Sequence, residues 1–218
     1  IRDHCVTGVQ TCALPIYCDS IFAPNIVREF IASDWQVYGT GKNDFIIDSN
    51  RFSFQKNAFT EHSDIERLHN WLEDKISNLD GLIIDLTIQP QISLNPFLEL
   101  SLDQWNFFID FYLKQSFFIV QDIIQEWIVE HKTGRIVFIL PSKAMANDNA
   151  MYAVIQSGAL AFSRSIAKEY GLKKIYSNSI IVPSDSTEEE QKEKITKAVL
   201  FFSSEASSLV DGETLVFD

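Results

Sequence analysis

Residues 79–88 read LDGLIIDLTI, and this stretch decides the fold class. Leu82, Ile83 and Ile84 run on without the apolar–polar alternation of a half-exposed strand, so the segment reads as a strand buried on both faces. GRIVFIL (134–140) and IYSNSIIV (175–182) repeat the pattern, and GETLVF (212–217) closes the chain in a similar way. Upstream, WQVYGTG (35–41) ends on glycines, and RFSFQ (51–55) alternates with period two. Helical spacing fills the intervals. NIVREFIAS (25–33) comes first, then HSDIERLHNWLEDKIS (62–77), which opens on a possible Ser63 cap. Residues 102–130 and AMYAVIQSGALAFSRSIAKEYG (150–171) are long helices, the second running to a terminal glycine. STEEEQKEKITKAVLFFSS (186–204) has acidic residues near its first turn, as the helix dipole favours. Strands alternating with helices predict an α/β fold, a doubly wound, mostly parallel sheet with helices on both faces. With no repeat, low-complexity run or linker, one domain accounts for the 218 residues.

Composition narrows the partners. The formal charge of −12 argues against nucleic acid, because phosphate binding relies on clustered Lys and Arg. No apolar run approaches the roughly 18 residues of a membrane span, so no membrane partner is expected and a cytoplasmic location is. The spacing of Cys5, Cys12 and Cys18 matches no common zinc pattern, so no metal is expected. His62, His69 and His131 read as surface residues. Trp105, Phe107, Phe108, Ile109, Phe111, Tyr112, Leu113, Phe117, Phe118 and Ile119 exceed the single stripe a surface helix needs. Either neighbouring elements bury helix 102–130 all round, or part of it faces another subunit. A homo- or hetero-oligomer through 102–130 and 150–171 is the expected partner.

VTGVQTCALPI (6–16) resembles the translation of a common short-read sequencing adapter. Ile1–Asp3 match the segment before the sample index, and His4 and Cys5 fall where the index lies. Residues 1–16 are therefore read as adapter-derived and set apart from the fold. Residues 17–218 form the domain, with the first strand replaced or missing.

From Tyr17 to Asp218 the chain resembles the short-chain dehydrogenase/reductase family in segment order and spacing. LDGLIIDLT resembles the family's LDxLVNNAG, LSLDQWNFFIDFYLKQSFFIVQ its WxxxxxxN helix, and TGRIVFILPS its GxIVNISS. MYAVIQSGALAFSRSIAKEYG resembles YxxxK with the lxxxlAxEyg that follows, IYSNSIIVP resembles irVNxIxPG, and LVDGETLVFD the closing itGqxixvDGG. The resemblance implies a Rossmann-like fold, NAD(P) as cofactor and hydride-transfer chemistry.

Residue by residue the implied site is eroded. Tyr152 matches the proton-transferring tyrosine, but Gln156 stands at the lysine position, and a neutral amide cannot lower a phenol pKa by charge. The serine position falls on Leu140 or Pro141, with Ser142 one step beyond, and Tyr112 stands at the asparagine position. The family's TGxxxGIG places its last three residues on Ile21, Phe22 and Ala23, whose side chains obstruct a diphosphate. Lys42, Asn57, Asp85 and Pro183 occupy positions where relatives meet the nucleotide; Lys143 is a possible substitute ammonium. VPSDSTEEE (182–190) implies a short, acidic substrate loop. Two expectations follow: a degenerate member with impaired or absent hydride transfer, or an active NAD(P)H-dependent carbonyl or acyl reductase using Tyr152 with non-standard partners.

Overall fold

The computed structural model describes residues 12–16, 18–57, 62–72, 79–87, 96–142, 149–183 and 188–217. In chain order they form β1 (Cys12–Ile16), α1 (Ala23–Ala32), β2 (Gln36–Gly41), β3 (Phe52–Lys56), α2 (His62–Leu72) and β4 (Leu79–Asp85). After a short turn at Phe97–Glu99 come α3 (Leu102–Phe108), a widened turn (Ile109–Lys114), α4 (Gln115–Val129) and β5 (Gly134–Pro141). α5 (Ala150–Tyr170), β6 (Ile175–Val182), α6 (Glu189–Ser203) and β7 (Thr214–Val216) complete the chain. The strands make one parallel sheet in the order β3-β2-β1-β4-β5-β6-β7. The order reverses between β1 and β4, which opens a crevice at the carboxyl ends of those strands.

The unalternated strands do what their composition requires. On β4 and β5, Leu82, Ile84, Ile136, Phe138 and Leu140 pack on one face with α4 and α5, while Ile83, Val137 and Ile139 pack on the other with α1 and α6. Trp127 of α4 is fully buried and its indole N–H donates to the Leu79 carbonyl at 2.8 Å. Its ring lies where a side chain at residue 134 would project, so only glycine fits there. The doubly wound reading therefore stands.

Several details differ from the sequence reading. The place of the first strand is filled, by Cys12–Ile16 of the adapter-like stretch. It pairs with β2 over two residues only, Cys12 and Ala13, and its register against β4 shifts at the same point. α2 begins at His62, which puts Ser63 inside its first turn. Gly171 keeps a right-handed conformation (φ −55°), and Lys174 takes the left-handed one (φ 62°) that returns the chain to β6. The 102–130 helix is only partly buried: Phe108, Tyr112 and Ile119 are in the core, Trp105 and Phe117 at the surface. His131 is exposed, as expected. Lys143, Ser184–Thr187 of the substrate loop and the side chains of His62 and His69 lie outside the described residues. Among the described residues no helix is long and apolar enough to cross a membrane.

Candidate functional site at the carboxyl edge of the sheet

Because every strand runs the same way, their carboxyl ends share one edge. Lys42 follows β2, Asn57 follows β3, Asp85 ends β4, Ser142 follows β5 and Pro183 follows β6. α5 starts from that edge and carries Tyr152 and Gln156 in its first two turns. The residues chosen from sequence thus share an edge, but the side chains of Gln156, Asp85 and Asn57 are tied to the protein itself.

Gln156 is buried, and its side-chain amide donates to the Pro141 carbonyl at 2.6 Å. Tyr152 is buried against Phe108 (ring centroids 6.4 Å apart), which in turn stacks on Tyr112 at 5.9 Å. Burial raises the Tyr152 hydroxyl above the usual phenol range, partly offset by a hydrogen bond from the Tyr112 hydroxyl. Tyr112 itself sits in the widened turn, where the Ser116 hydroxyl donates to its carbonyl at 2.6 Å. Such turns occur often at functional sites. Here the turn carries a large, fully buried phenol. Ser142 is buried just past β5.

On the crevice side, Asp85 is buried and accepts from the Thr87 N–H (3.0 Å) and hydroxyl (2.6 Å) through Oδ1. Its Oδ2 has no hydrogen-bond partner among the described residues. Burial pushes the carboxyl up to about 6, against the opposing hydrogen bonds from Ser20 and Thr87. Asn57 is buried; its backbone N–H donates to Gly41 O and its side chain to Asp64 O at 2.7 Å. Lys42 is exposed.

At the start of α1 the Phe22 and Ala23 N–H groups donate to the Ser20 hydroxyl at 3.3 and 3.2 Å, and Pro24 has no N–H. Phe22 is buried in the core, and Ile21 is 52% exposed beside the turn. A helix start that binds a diphosphate offers free amides and side-chain-free approach. Here the Phe22 and Ala23 amides are taken up by Ser20, Pro24 has none, and the exposed Ile21 side chain stands beside the turn. Phe22 and Ala23 themselves are buried and do not obstruct it, contrary to the sequence expectation, so the fit to that group is poor at the amides and at Ile21. Sequence reasoning passed over Asp19 and Ser20, whose only signal was their place inside the TGxxxG segment.

The fold agrees with the comparisons to known proteins. Residues 56–187 match the family model described as enoyl-(acyl carrier protein) reductase, more than half of the chain. The chain belongs to the short-chain dehydrogenase/reductase family. It is similar to the 3-oxoacyl-(acyl-carrier-protein) reductase FabG of Buchnera aphidicola subsp. Acyrthosiphon pisum, at 25% identity over 87% of this chain and 88% of that protein. A short-chain dehydrogenase from Leptospira borgpetersenii serovar Hardjo-bovis with bound NAD+ superposes with TM-score 0.84, at 18% identity, covering 100% of this chain and 97% of that one. A 4-hydroxyisoleucine dehydrogenase complexed with NADH gives TM-score 0.82 at 17% identity, covering 96% and 97%. At these identities the solved structures speak to the fold. NAD(P) is the cofactor found in such relatives.

Proposed function

We propose that the chain is a degenerate member of its family, an oxidoreductase fold in which hydride transfer is impaired or absent. Gln156 carries this reading. A neutral amide at the lysine position, committed to the Pro141 carbonyl, supplies no charge to a phenol that burial already makes less acidic. The Ser20-bound amides at α1 support the same reading from the cofactor side. Calorimetric titration of NADH and NADPH, with turnover assays on ketones, aldehydes and 3-oxoacyl thioesters, tests it. The expected result is no binding in the micromolar range, about −8 kcal/mol, and no turnover. Micromolar binding accompanied by hydride transfer overturns it.

One observation favours the alternative, an active NAD(P)H-dependent carbonyl or acyl reductase. The Tyr112 hydroxyl donates to Tyr152 and so favours its ionised form. This second reading requires that Tyr152→Phe abolish a measurable turnover.

Residues 1–16 are proposed to be adapter-derived and residues 17–218 the biological domain. Pro15 in the centre of the sheet, where it gives no ladder N–H, supports this, as does the short pairing of β1 with β2. Reading the source gene upstream of Tyr17 decides it, and a glycine-rich TGxxxG there would restore a cofactor turn. Self-association through α4 and α5 is proposed from a groove of about 570 Å³ between them, lined by Phe117, Ile124, Phe162 and Tyr170. A cytoplasmic location is proposed from the family to which the chain belongs.

A further inference from the structure

Asp19 lies in the turn between β1 and α1 and reaches to the end of the neighbouring β2. Its Oδ2 accepts the Lys42 N–H at 2.6 Å, and its Oδ1 accepts the Asn43 N–H at 2.8 Å and the Asn43 side-chain amide at 2.7 Å. Gly41 makes the approach possible, since a Cβ there would stand 2.7 Å from Oδ2. The turn is further fixed by the Cys18 N–H, which donates to the Thr40 carbonyl at 2.7 Å. In a doubly wound sheet the end of β2 is where the adenosine ribose of a dinucleotide lies, and a cation there accommodates a ribose phosphate. The Lys42 ammonium is such a cation, exposed and without an ion pair among the described residues. Three neighbouring N–H donors and a cation would suit a phosphate, but a carboxylate of the same chain already fills the donors.

We infer that Asp19 is a built-in occupant of the ribose end of the crevice and excludes a phosphorylated ribose from the Lys42–Asn43 amides. The inference rests on reading the crevice as a vestigial nucleotide site. It concerns the ribose end alone, so it stands or falls separately from hydride transfer. Removing the carboxylate vacates the amides and removes the like charge that a phosphate would meet.

The test is calorimetric titration of the full chain with adenosine 2′,5′-bisphosphate and with 5′-AMP, in the unsubstituted protein and in Asp19→Ala and Asp19→Asn. The unsubstituted protein is expected to bind the bisphosphate no more tightly than 5′-AMP. Asp19→Ala is expected to tighten the bisphosphate about tenfold, with 5′-AMP changing less than about threefold. Asp19→Asn, which keeps an oxygen on the amides, gives a smaller gain of the same sign and carries the test where Asp19→Ala melts early. Preferential binding of the bisphosphate by the unsubstituted protein overturns the inference, as does the absence of any gain in a folded variant. If both variants unfold, the comparison within the unsubstituted protein decides. Tight NADH binding with turnover would overturn the functional reading and leave this one standing.

Discussion

The side-chain amide of Gln156 donates to the Pro141 carbonyl at 2.6 Å, joining the first two turns of α5 to the end of β5 inside the protein. Gln156 is a buried structural fastening. The bond helps fix where α5 leaves the sheet edge, and with it where Tyr152 lies.

Gln156→Leu removes that donor and leaves a buried carbonyl without it. The expected loss is about 1–3 kcal/mol of stability, read by urea denaturation. Gln156→Lys is expected to produce no NADPH oxidation, because Tyr112 and the α1 turn remain as they are.

Tyr152→Phe separates the two functional readings. In a degenerate protein it costs about 1 kcal/mol, from the hydrogen bond that Tyr112 makes to it, and changes no turnover. In an active reductase it lowers turnover by about 10²–10⁴-fold. Paired melting curves and carbonyl-reduction assays give the answer.

Asp85 makes stability depend on pH. Burial raises its folded pKa from 3.8 to about 6, so the folded state binds the proton more tightly than the unfolded state. Its contribution therefore falls as pH rises through the interval between those values, by about 3 kcal/mol in all. Asp85→Asn has no carboxyl to titrate. Melting the two proteins at a series of pH values should show the unsubstituted protein losing ground to the variant across that window. A constant difference would contradict the assignment.

Gly134→Ala places a methyl group into the Trp127 ring. Overpacking at this fully buried pair is expected to cost about 1–3 kcal/mol or more, read as a lowered denaturation midpoint.

Phe117 of α4 is 45% exposed, and its ring lies tilted against that of Phe162 with centroids 5.7 Å apart. If copies associate through α4 and α5, Phe117→Glu buries a charge in the contact and yields the monomer in sedimentation analysis. An unchanged mass for both proteins would refute that interface.

The sequence determined the layer architecture. LDGLIIDLTI and GRIVFIL lack alternation because strands covered on both faces favour apolar residues on both, and that pattern is local. The absence of a cation at Gln156 was likewise legible, since residue type and helical spacing suffice to read it. What those residues do instead depended on tertiary structure. Gln156 finds the Pro141 carbonyl 15 residues away, and Asp19 finds Lys42 and Asn43 across 23 and 24 residues. No periodicity encodes such pairings, because they arise only when parallel strands bring their carboxyl ends to one edge. β1 was read as replaced or missing because its residues resemble adapter sequence, yet its slot is defined by the backbones of β2 and β4, and the apolar segment CALPI occupies it. Chain chemistry set which groups were available, and the sheet's geometry decided which of them meet.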